Sequence, residues 1–371
     1  MKFTCNQQIL AKALNTVSKA VSTRTTLPIL KGILIEAKKE GTITLTASDL
    51  EISIKKKINA NIEEEGSIVV ASKLFGDIIR KLPNEEIFIE ETEEDSILIK
   101  TDSSEFKVVN LSVDEFPKIG DKEDTNDELL FNGEIFKDMV RKTSFAASID
   151  ETKGVLVGVL TEINNESVNM VALDSYRLAL ACEKMTSSNQ RKFIIAAKIM
   201  NEIGKIITDE NKEDDIKISL GEKRAIFTIG DAEVVLRLME GDFIKYRDII
   251  PQDNSTIITV SKELLQESIE RASLLAKEGK NNLIKMTLKS NLMTITSRSE
   301  EGNVKEEIIM EKKGEDIEIG FNSKFIIDVL KAIEDEEISM NFKTGTSPCV
   351  VRPVEGNAYE YLILPVRIPK I

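Results

Sequence analysis

The sequence predicts an α+β chain built from three tandem copies of one unit of about 125 residues, each with two helices packed on antiparallel sheet. Three observations predict this. An amphipathic segment recurs as "ASKLFGDIIRKL" (Ala71–Leu82), "AAKIMNEIGKII" (Ala196–Ile207) and "NSKFIIDVLKAI" (Asn322–Ile333), with Lys73, Lys198 and Lys324 spaced by 125 and 126 residues. A second helix-period run recurs as "CNQQILAKAL" (Cys5–Leu14), "FNGEIFKDMV" (Phe131–Val140) and "VSKELLQESI" (Val260–Ile269). Between these runs lie alternating stretches such as "TITLTASDLEISIKKK" (Thr42–Lys57), the mark of a half-buried antiparallel strand.

Each unit reads strand, helix, strands, helix, strands. The first helix of each copy follows a capping candidate, Asn6, Asn132 or Ser261, whose side-chain oxygen satisfies an orphan amide of the first turn. The strand "GILIEA" (Gly32–Ala37) returns as "GVLTEI" (Gly158–Ile163) 126 residues later. "TASDL" (Thr46–Leu50) returns as "VALDS" (Val171–Ser175), with Asp49 and Asp174 lying 125 apart, and more weakly as "TSRSE" (Thr296–Glu300). The second helix begins at the recurrent lysine. It carries an acid (Asp77, Glu202, Asp328) three residues before a base (Arg80, Lys205, Lys331), a spacing that lets the two meet on a helix surface. Leu111 and Phe116, then Leu238 and Phe243, mark the ends of the first two units. Polar, turn-rich joints near Gly120–Asp127 and Pro251–Ser255 put the domains at 1–122, 128–251 and 255–371.

Composition excludes several functions. With 371 residues and 41% hydrophobic content the chain has enough apolar material for a core in each unit. No apolar stretch approaches the ~18 residues of a spanning helix, and "MKFTCNQQIL" turns polar at once, unlike a signal peptide. The three cysteines, Cys5, Cys182 and Cys349, are odd in number and far apart, which fits a reducing cytoplasm. Histidine is absent, removing the usual general base near neutral pH and every His-containing metal or nucleophile site. Tryptophan is absent and aromatics are 5%, too few for a single-strand stacking surface. No cofactor is expected.

The net charge of −14 argues against a nucleic-acid partner until it is mapped. The six predicted helices (Asn6–Val21, Ser72–Leu82, Gly133–Ala147, Ala197–Ile207, Ser261–Lys277, Ser323–Ile333) carry a formal +7, so the remainder must carry −21. Helices gathered on one side would hold a polyanion by its backbone, loosely and without reading its sequence. The plainer alternative is that lysine and arginine favour helices and solvated faces.

"MKFT", "TLPIL" (Thr26–Leu30), "SDLE" (Ser48–Glu51), "EFP" (Glu115–Pro117), "ALDSYRLAL" (Ala172–Leu180), "EIGFNSKFIIDVLKAI" (Glu318–Ile333) and "LPVRI" (Leu364–Ile368) occur in this order. Together they resemble the bacterial DNA polymerase III beta subunit, the replicative sliding clamp, over the whole chain. The resemblance implies a head-to-tail homodimeric ring of six similar domains, helices lining a hole around duplex DNA and sheets outside. It implies no active site, a cytoplasmic protein, and partners comprising double-stranded DNA, the replicative polymerase, the clamp loader and repair polymerases, the proteins docking through short peptide motifs. By motif, Arg24, Lys73, Arg80 and Lys198 would face DNA; Ala197 stands where the family often has another base. The partner groove would comprise Leu156, Leu173, Ser175, Tyr176, Arg177 and Leu178, with Leu362, Leu364, Pro365, Val366 and Arg367 from the chain end. A turn at Asp174–Ser175 would lift Tyr176 and Arg177 to its rim. Ile244 replaces a proline found in some clamps, Ile249 nearby supplies apolar wall, and Pro369–Ile371 extend the chain beside the groove. The ring joint would set Phe106 and Val108 against Leu274 and Leu275 of a second copy.

Two other classes remain to be weighed. The acid runs "ETEED" (Glu91–Asp95), "EDD" (Glu213–Asp215) and "EDEE" (Glu334–Glu337) are the only material for a metal-dependent hydrolase, and such runs beside turns are ordinarily solvated loops. No P-loop, G-x-S-x-G or C-x-x-C is present. A three-domain intracellular protein-binding scaffold without DNA would also suit the triplication, though not the charge split.

Overall fold

The computed structural model describes residues 1–22, 25–92, 95–119, 128–187 and 190–368. Arg24 and Pro369–Ile371 lie outside the described residues, as do Glu93 and Glu94 of the first acid run and the whole of the first joint. Six α-helices form where the periodicity places them: α1 Gln7–Val17, α2 Ser72–Lys81, α3 Gly133–Thr143, α4 Ala197–Ile206, α5 Lys262–Ala276 and α6 Ser323–Ala332. The first and third run shorter than expected, because their last turns tighten into the 3-10 segments Ser18–Ala20 and Ser144–Ala146. Asn6 Oδ1 accepts from the amides of Gln8 and Ile9, and Ser261 Oγ from that of Leu264, each cap worth about 1 kcal/mol. Asn322 caps α6 in the same way, taking the Lys324 amide at 3.0 Å.

The chain folds as two compact units, one of Met1–Glu134 with Lys205–Leu238, the other of Ile135–Gly204 with Met239–Ile371. The middle repeat is therefore shared. In the first unit an eight-stranded antiparallel sheet runs Glu128–Asn132, Asp215–Leu220, Arg224–Ile229, Ala232–Arg237, Ile52–Asn59, Thr42–Ser48, Gly32–Lys38, Gly66–Ala71. A five-stranded sheet of Asn61–Glu64, Lys2–Asn6, Glu86–Thr92, Ser96–Lys100 and Glu105–Val109 completes that unit. Helix α1 buries Leu10, Ala13, Leu14 and Val17, spaced three and four apart, against α2 and the strands Thr42–Ser48 and Ile52–Asn59. Gln7 Nε2 ties the helix pair together by donating to the Ile79 carbonyl at 2.6 Å.

The second unit repeats this plan. Its nine-stranded sheet runs Arg191–Ala196, Gly158–Ile163, Ser167–Leu173, Arg177–Lys184, Tyr359–Ile363, Cys349–Pro353, Glu337–Phe342, Thr256–Ser261, Glu311–Gly314. A four-stranded sheet of Gly302–Ile309, Leu292–Ser299, Leu283–Lys289 and Ile317–Asn322 lies under α5, which also packs on α6.

The repeat is exact in one element. Strands Ile52–Asn59, Arg177–Lys184 and Gly302–Ile309 are each eight residues long, each beginning 125 residues after the one before. The first pairs with Ala232–Arg237, placing Ile52 opposite Leu236 and Ile54 opposite Val234. The second pairs with Tyr359–Ile363, placing Arg177 opposite Ile363 and Leu178 opposite Leu362. The third has one neighbour only, Leu292–Ser299, and ends its sheet. At the other end of the chain Glu105–Val109 also ends its sheet. Its Phe106 and Val108 stand opposite Ile99 and Ile97, as Val234 and Leu236 stand opposite Phe227 and Ala225.

Cys5 and Cys349 are buried, whereas Cys182 is partly exposed. Burial pushes the Cys5 thiol up to about 12 and raises that of Cys349 too. Cys182 is raised first by its partial burial and then by the neighbouring Glu183 carboxylate. An aromatic disulfide reagent should therefore modify one thiol per native chain, at Cys182, with a rate that climbs with pH as this thiol ionises. Rapid modification of Cys5 or Cys349 in the native protein would contradict this core.

Candidate peptide groove and DNA-facing helices

The turn between strands Ser167–Leu173 and Arg177–Lys184 is built by one carboxylate. Asp174 Oδ1 accepts from the amides of Tyr176 at 2.7 Å and Arg177 at 2.9 Å. Asp49 repeats the motif in the first unit, accepting from Glu51 at 3.0 Å and Ile52 at 2.9 Å. Such Asx turns fix a short loop without glycine; in the first copy Leu50 takes the strained left-handed conformation (φ 78°). The third copy, with serine and glutamate at this turn, has no such aspartate.

Beneath the Asp174 turn lies an apolar cluster containing Leu173, Leu178 and Leu362 together with Leu160, Ile194, Phe243 and Tyr246. Leu156, on the 3-10 segment Glu151–Val157, is half-buried and packs against it, as do Val155 and Met239. Ser175 and Tyr176 are exposed at the turn, Tyr176 to 57%. Ile244 and Ile249 are exposed apolar residues flanking the buried Phe243, Tyr246 and Ile250. Leu364 and Arg367 are exposed, while Pro365 and Val366 are half-buried. Of the predicted groove residues, Leu156, Leu173, Leu178 and Leu362 thus meet in one cluster inside the second unit.

One prediction needs correction. Arg177 does not stand on the rim: it is 9% exposed. Its Nε donates to Asp174 Oδ2 (3.2 Å), Nη1 to Asp328 Oδ2 (2.5 Å) and Nη2 to the Phe145 carbonyl (2.7 Å). The guanidinium also lies over the rings of Phe325 and Phe145, at 4.8 and 5.4 Å. The same contacts undo a second expectation. Asp77 does pair with Arg80 on α2, but Asp328 turns to Arg177, and Lys331 bridges Glu270 instead, at 3.7 Å.

Sequence reasoning missed Phe145, Phe325, Val155, Met239 and Tyr246. Tyr246 donates its hydroxyl to Glu162 Oε2 at 2.6 Å; burial first, then this carboxylate, push its ionisation upward. Of these only Val155 carried a signal, through the repeat that pairs it with Ile29 of a matching cluster in the first unit.

The chain end closes one wall by backbone bonds. The Leu364 amide donates to the Tyr176 carbonyl at 2.9 Å, and the Val366 amide to the Gly320 carbonyl at 2.8 Å. Gly320 permits this approach: a Cβ there would sit 2.6 Å from the Val366 oxygen and 2.9 Å from Ile368 Cγ1.

The helices offer a different surface. Lys73, Lys198 and Lys324 are each the second residue of their helix, and each is exposed. Among the described residues none of the three meets a carboxylate within ion-pair distance, whereas Arg80, Lys12 and Arg141 are paired, with Asp77, Glu210, and Asp138 and Glu334. A cation in the first turn opposes the helix dipole, by about 0.3–1 kcal/mol. The recurrent lysine therefore does nothing for its own helix. Together with the positive end of the helix dipole it presents a spot that attracts anions.

On the sheet-ending strand Glu105–Val109, Phe106 is 39% exposed and Val108, at 9%, belongs mostly to its own sheet; on α5, Leu274 is 66% exposed and Leu275 half-buried. Among the described residues no cluster of three or more His, Cys, Asp or Glu could hold a metal ion, and no helix is long and apolar enough to cross a membrane.

Replacing Gly320 by alanine should force the Val366–Ile368 segment off its strand, at a cost of about 1–3 kcal/mol in thermal or denaturant unfolding. Unchanged stability would mean that the chain end is not held there.

Residues 1–120 match the N-terminal domain of the DNA polymerase III beta subunit, residues 131–245 its central domain and residues 247–367 its C-terminal domain. The chain is 35% identical to the beta sliding clamp of Staphylococcus aureus over 378 residues, covering 99% of each protein. It superposes on the DNA polymerase sliding clamp of Bacillus subtilis with a TM-score of 0.93 at 34% identity, covering 100% of both chains. On the Pseudomonas aeruginosa sliding clamp, crystallised bound to griselimycin, the TM-score is 0.91 at 26% identity, covering 99% of this chain and 100% of that one. Three consecutive domain matches and full-length relatives agree: this chain belongs to the DNA polymerase III beta subunit family.

Proposed function

We propose that this chain is a DNA sliding clamp, a non-catalytic processivity subunit that encircles duplex DNA and tethers the replicative polymerase to it. The observation that carries the reading is the exposed, unpaired lysine at the second position of α2, α4 and α6. Each is misplaced for its helix and well placed for a phosphate backbone. A few such contacts hold DNA weakly and without sequence preference, which enclosure tolerates and sliding requires. Arg24 and Lys198 join Lys73 as DNA-facing residues; Arg80 contributes less, because Asp77 already holds it.

The domains are 1–122, 128–251 and 255–371. Closure follows from the sheet edges. Inside the chain, each eight-residue strand of one repeat pairs with the last strand of the next. Gly302–Ile309 and Glu105–Val109 are the two members of this pairing left over, so two copies join head to tail and repeat the bond twice. Phe106 and Val108 occupy the places of Val234 and Leu236 in that seam, and Leu274 and Leu275 flank it from α5, the helix lying over Gly302–Ile309. The groove around Leu156, Leu173, Leu178, Leu362 and Pro365 takes short apolar peptide segments of the polymerase, the clamp loader and repair polymerases, with Tyr176 and Ile244 at its lip. The protein works in the bacterial cytoplasm.

Protein loaded on a nicked circular duplex should remain bound through a salt wash and leave when the circle is cut once. Retention on the linear product would overturn enclosure. Sedimentation should give twice the chain mass at micromolar concentration. Phe106→Ala with Leu274→Ala should raise the dimer dissociation constant at least about tenfold, since both sit at the centre of the proposed contact. An unchanged dimer would overturn the seam.

A further inference from the structure

One wall of the groove is irregular chain. The segment from Met239 to Ile250 packs Phe243, Tyr246 and Ile250 into the apolar cluster and leaves Ile244 and Ile249 exposed. The Met239 amide bonds to the Ile194 carbonyl at 2.9 Å. The turn bonds that follow, from the Tyr246 amide to Ile244 (2.7 Å) and from the Ile249 amide to Tyr246 (3.1 Å), are local and shape the segment without fixing it to the sheet. A side chain makes that connection. Tyr246 donates its hydroxyl at 2.6 Å to Glu162 Oε2, on strand Gly158–Ile163. Glu162 is flanked by two cations, Lys192 of the neighbouring strand at 3.5 Å and Arg247 of the segment at 3.9 Å. Arg247 also lies over the Tyr246 ring, 5.3 Å from its centroid. An ionised carboxylate only accepts, so the hydroxyl is the donor and the bond is charge-assisted. The first repeat lacks this tie. Glu36 stands 126 residues before Glu162, but Ser67 faces it where Lys192 faces Glu162, and Ile119, with no hydroxyl, stands 127 residues before Tyr246.

We propose that Glu162 is a positioning residue of the peptide groove: through the Tyr246 hydroxyl it holds the Met239–Ile250 segment against the sheet, and so sets Ile244 and Ile249 where an apolar peptide side chain meets them. The inference rests on the peptide-groove reading and adds a residue that acts without touching the peptide. Apolar burial is not directional and leaves such a segment free to shift. A hydrogen bond is directional and fixes the ring, with its neighbours, in one place. A loosened wall has to be ordered again when a peptide binds, and that cost appears as lost affinity.

The test uses the full-length protein and fluorescent acetyl-Asn-Leu-Leu-Phe-Asn-amide. Tyr246→Phe removes the donor and Glu162→Ala the acceptor. Each should weaken binding about tenfold, the loss of one hydrogen bond to a charged group. The double variant should bind no more weakly than either single one, since both remove the same bond. Glu162→Gln keeps an acceptor oxygen and should restore most of the affinity. Wild-type affinity in either Tyr246→Phe or Glu162→Ala overturns the proposal, as does Glu162→Gln binding as weakly as Glu162→Ala. Trypsin supplies a second measurement, because Lys245 and Arg247 lie exposed in the segment. Cleavage after them, followed by mass spectrometry, should be slow in wild type and in Glu162→Gln. It should be several-fold faster in Tyr246→Phe, which leaves the Glu162–Arg247 pair in place. Cleavage after Lys277, exposed at the end of α5, should not change. Equal acceleration at all three sites would report general unfolding and overturn a local tie. Failure of the peptide to bind wild type would fall on the groove reading. The holding of the segment is still decided by trypsin, and equal cleavage in wild type and Tyr246→Phe would overturn it.

Discussion

Antiparallel strands at the end of a sheet carry a row of unpaired amides and carbonyls that must find partners. In this chain the partner of one repeat's eight-residue strand is always the final strand of the following repeat. That pairing carries sheets across the sequence boundaries, so the middle repeat contributes strands to both compact units. It brings the chain end to the Asp174 turn, where Tyr359–Ile363 lies beside Arg177–Lys184 and Leu364 bonds to Tyr176. The apolar cluster beside that turn is a product of this junction: it takes residues from both repeats, and no single repeat contains it.

Charge is arranged on this frame with little stabilising purpose. Most helix cations named above are absorbed by nearby carboxylates, as Lys12 is by Glu210 and Arg141 by Asp138 and Glu334. Exposed pairs of this kind are worth well under about 1 kcal/mol. Among the cations left over is a lysine at the start of each second helix, against the local dipole. The overall acidity of the chain hides this pattern, because a total reports no positions.

Much of the fold was legible in the residues. The repeat period, the six helices, the caps at Asn6 and Ser261 and the Asp49 and Asp174 turns are local events, each decided within a few residues by hydrogen-bond geometry and apolar spacing. Of the leucines named through motif resemblance, Leu156, Leu173, Leu178 and Leu362 meet in one apolar cluster. The error over Arg177 has a clear origin. A turn beside an exposed tyrosine suggests a solvated arginine, and nothing nearby in sequence reveals that Asp328, 151 residues away, and the Phe145 carbonyl, 32 residues away, will enclose it. The third acid–base pair failed for the same reason, since Asp328 had a better partner outside its helix.

Sequence alone determined the unit, its helices and strands, and the identities of the lysines and leucines that give the surface its chemistry, because periodicity, caps and turns act over a few residues. Tertiary structure alone decided which strands pair across repeats, that Arg177 is buried instead of standing on a rim, and which strands end their sheets. Those outcomes depend on backbone bonds, which any residue can make, and on meetings between side chains far apart along the chain, and neither leaves a local imprint.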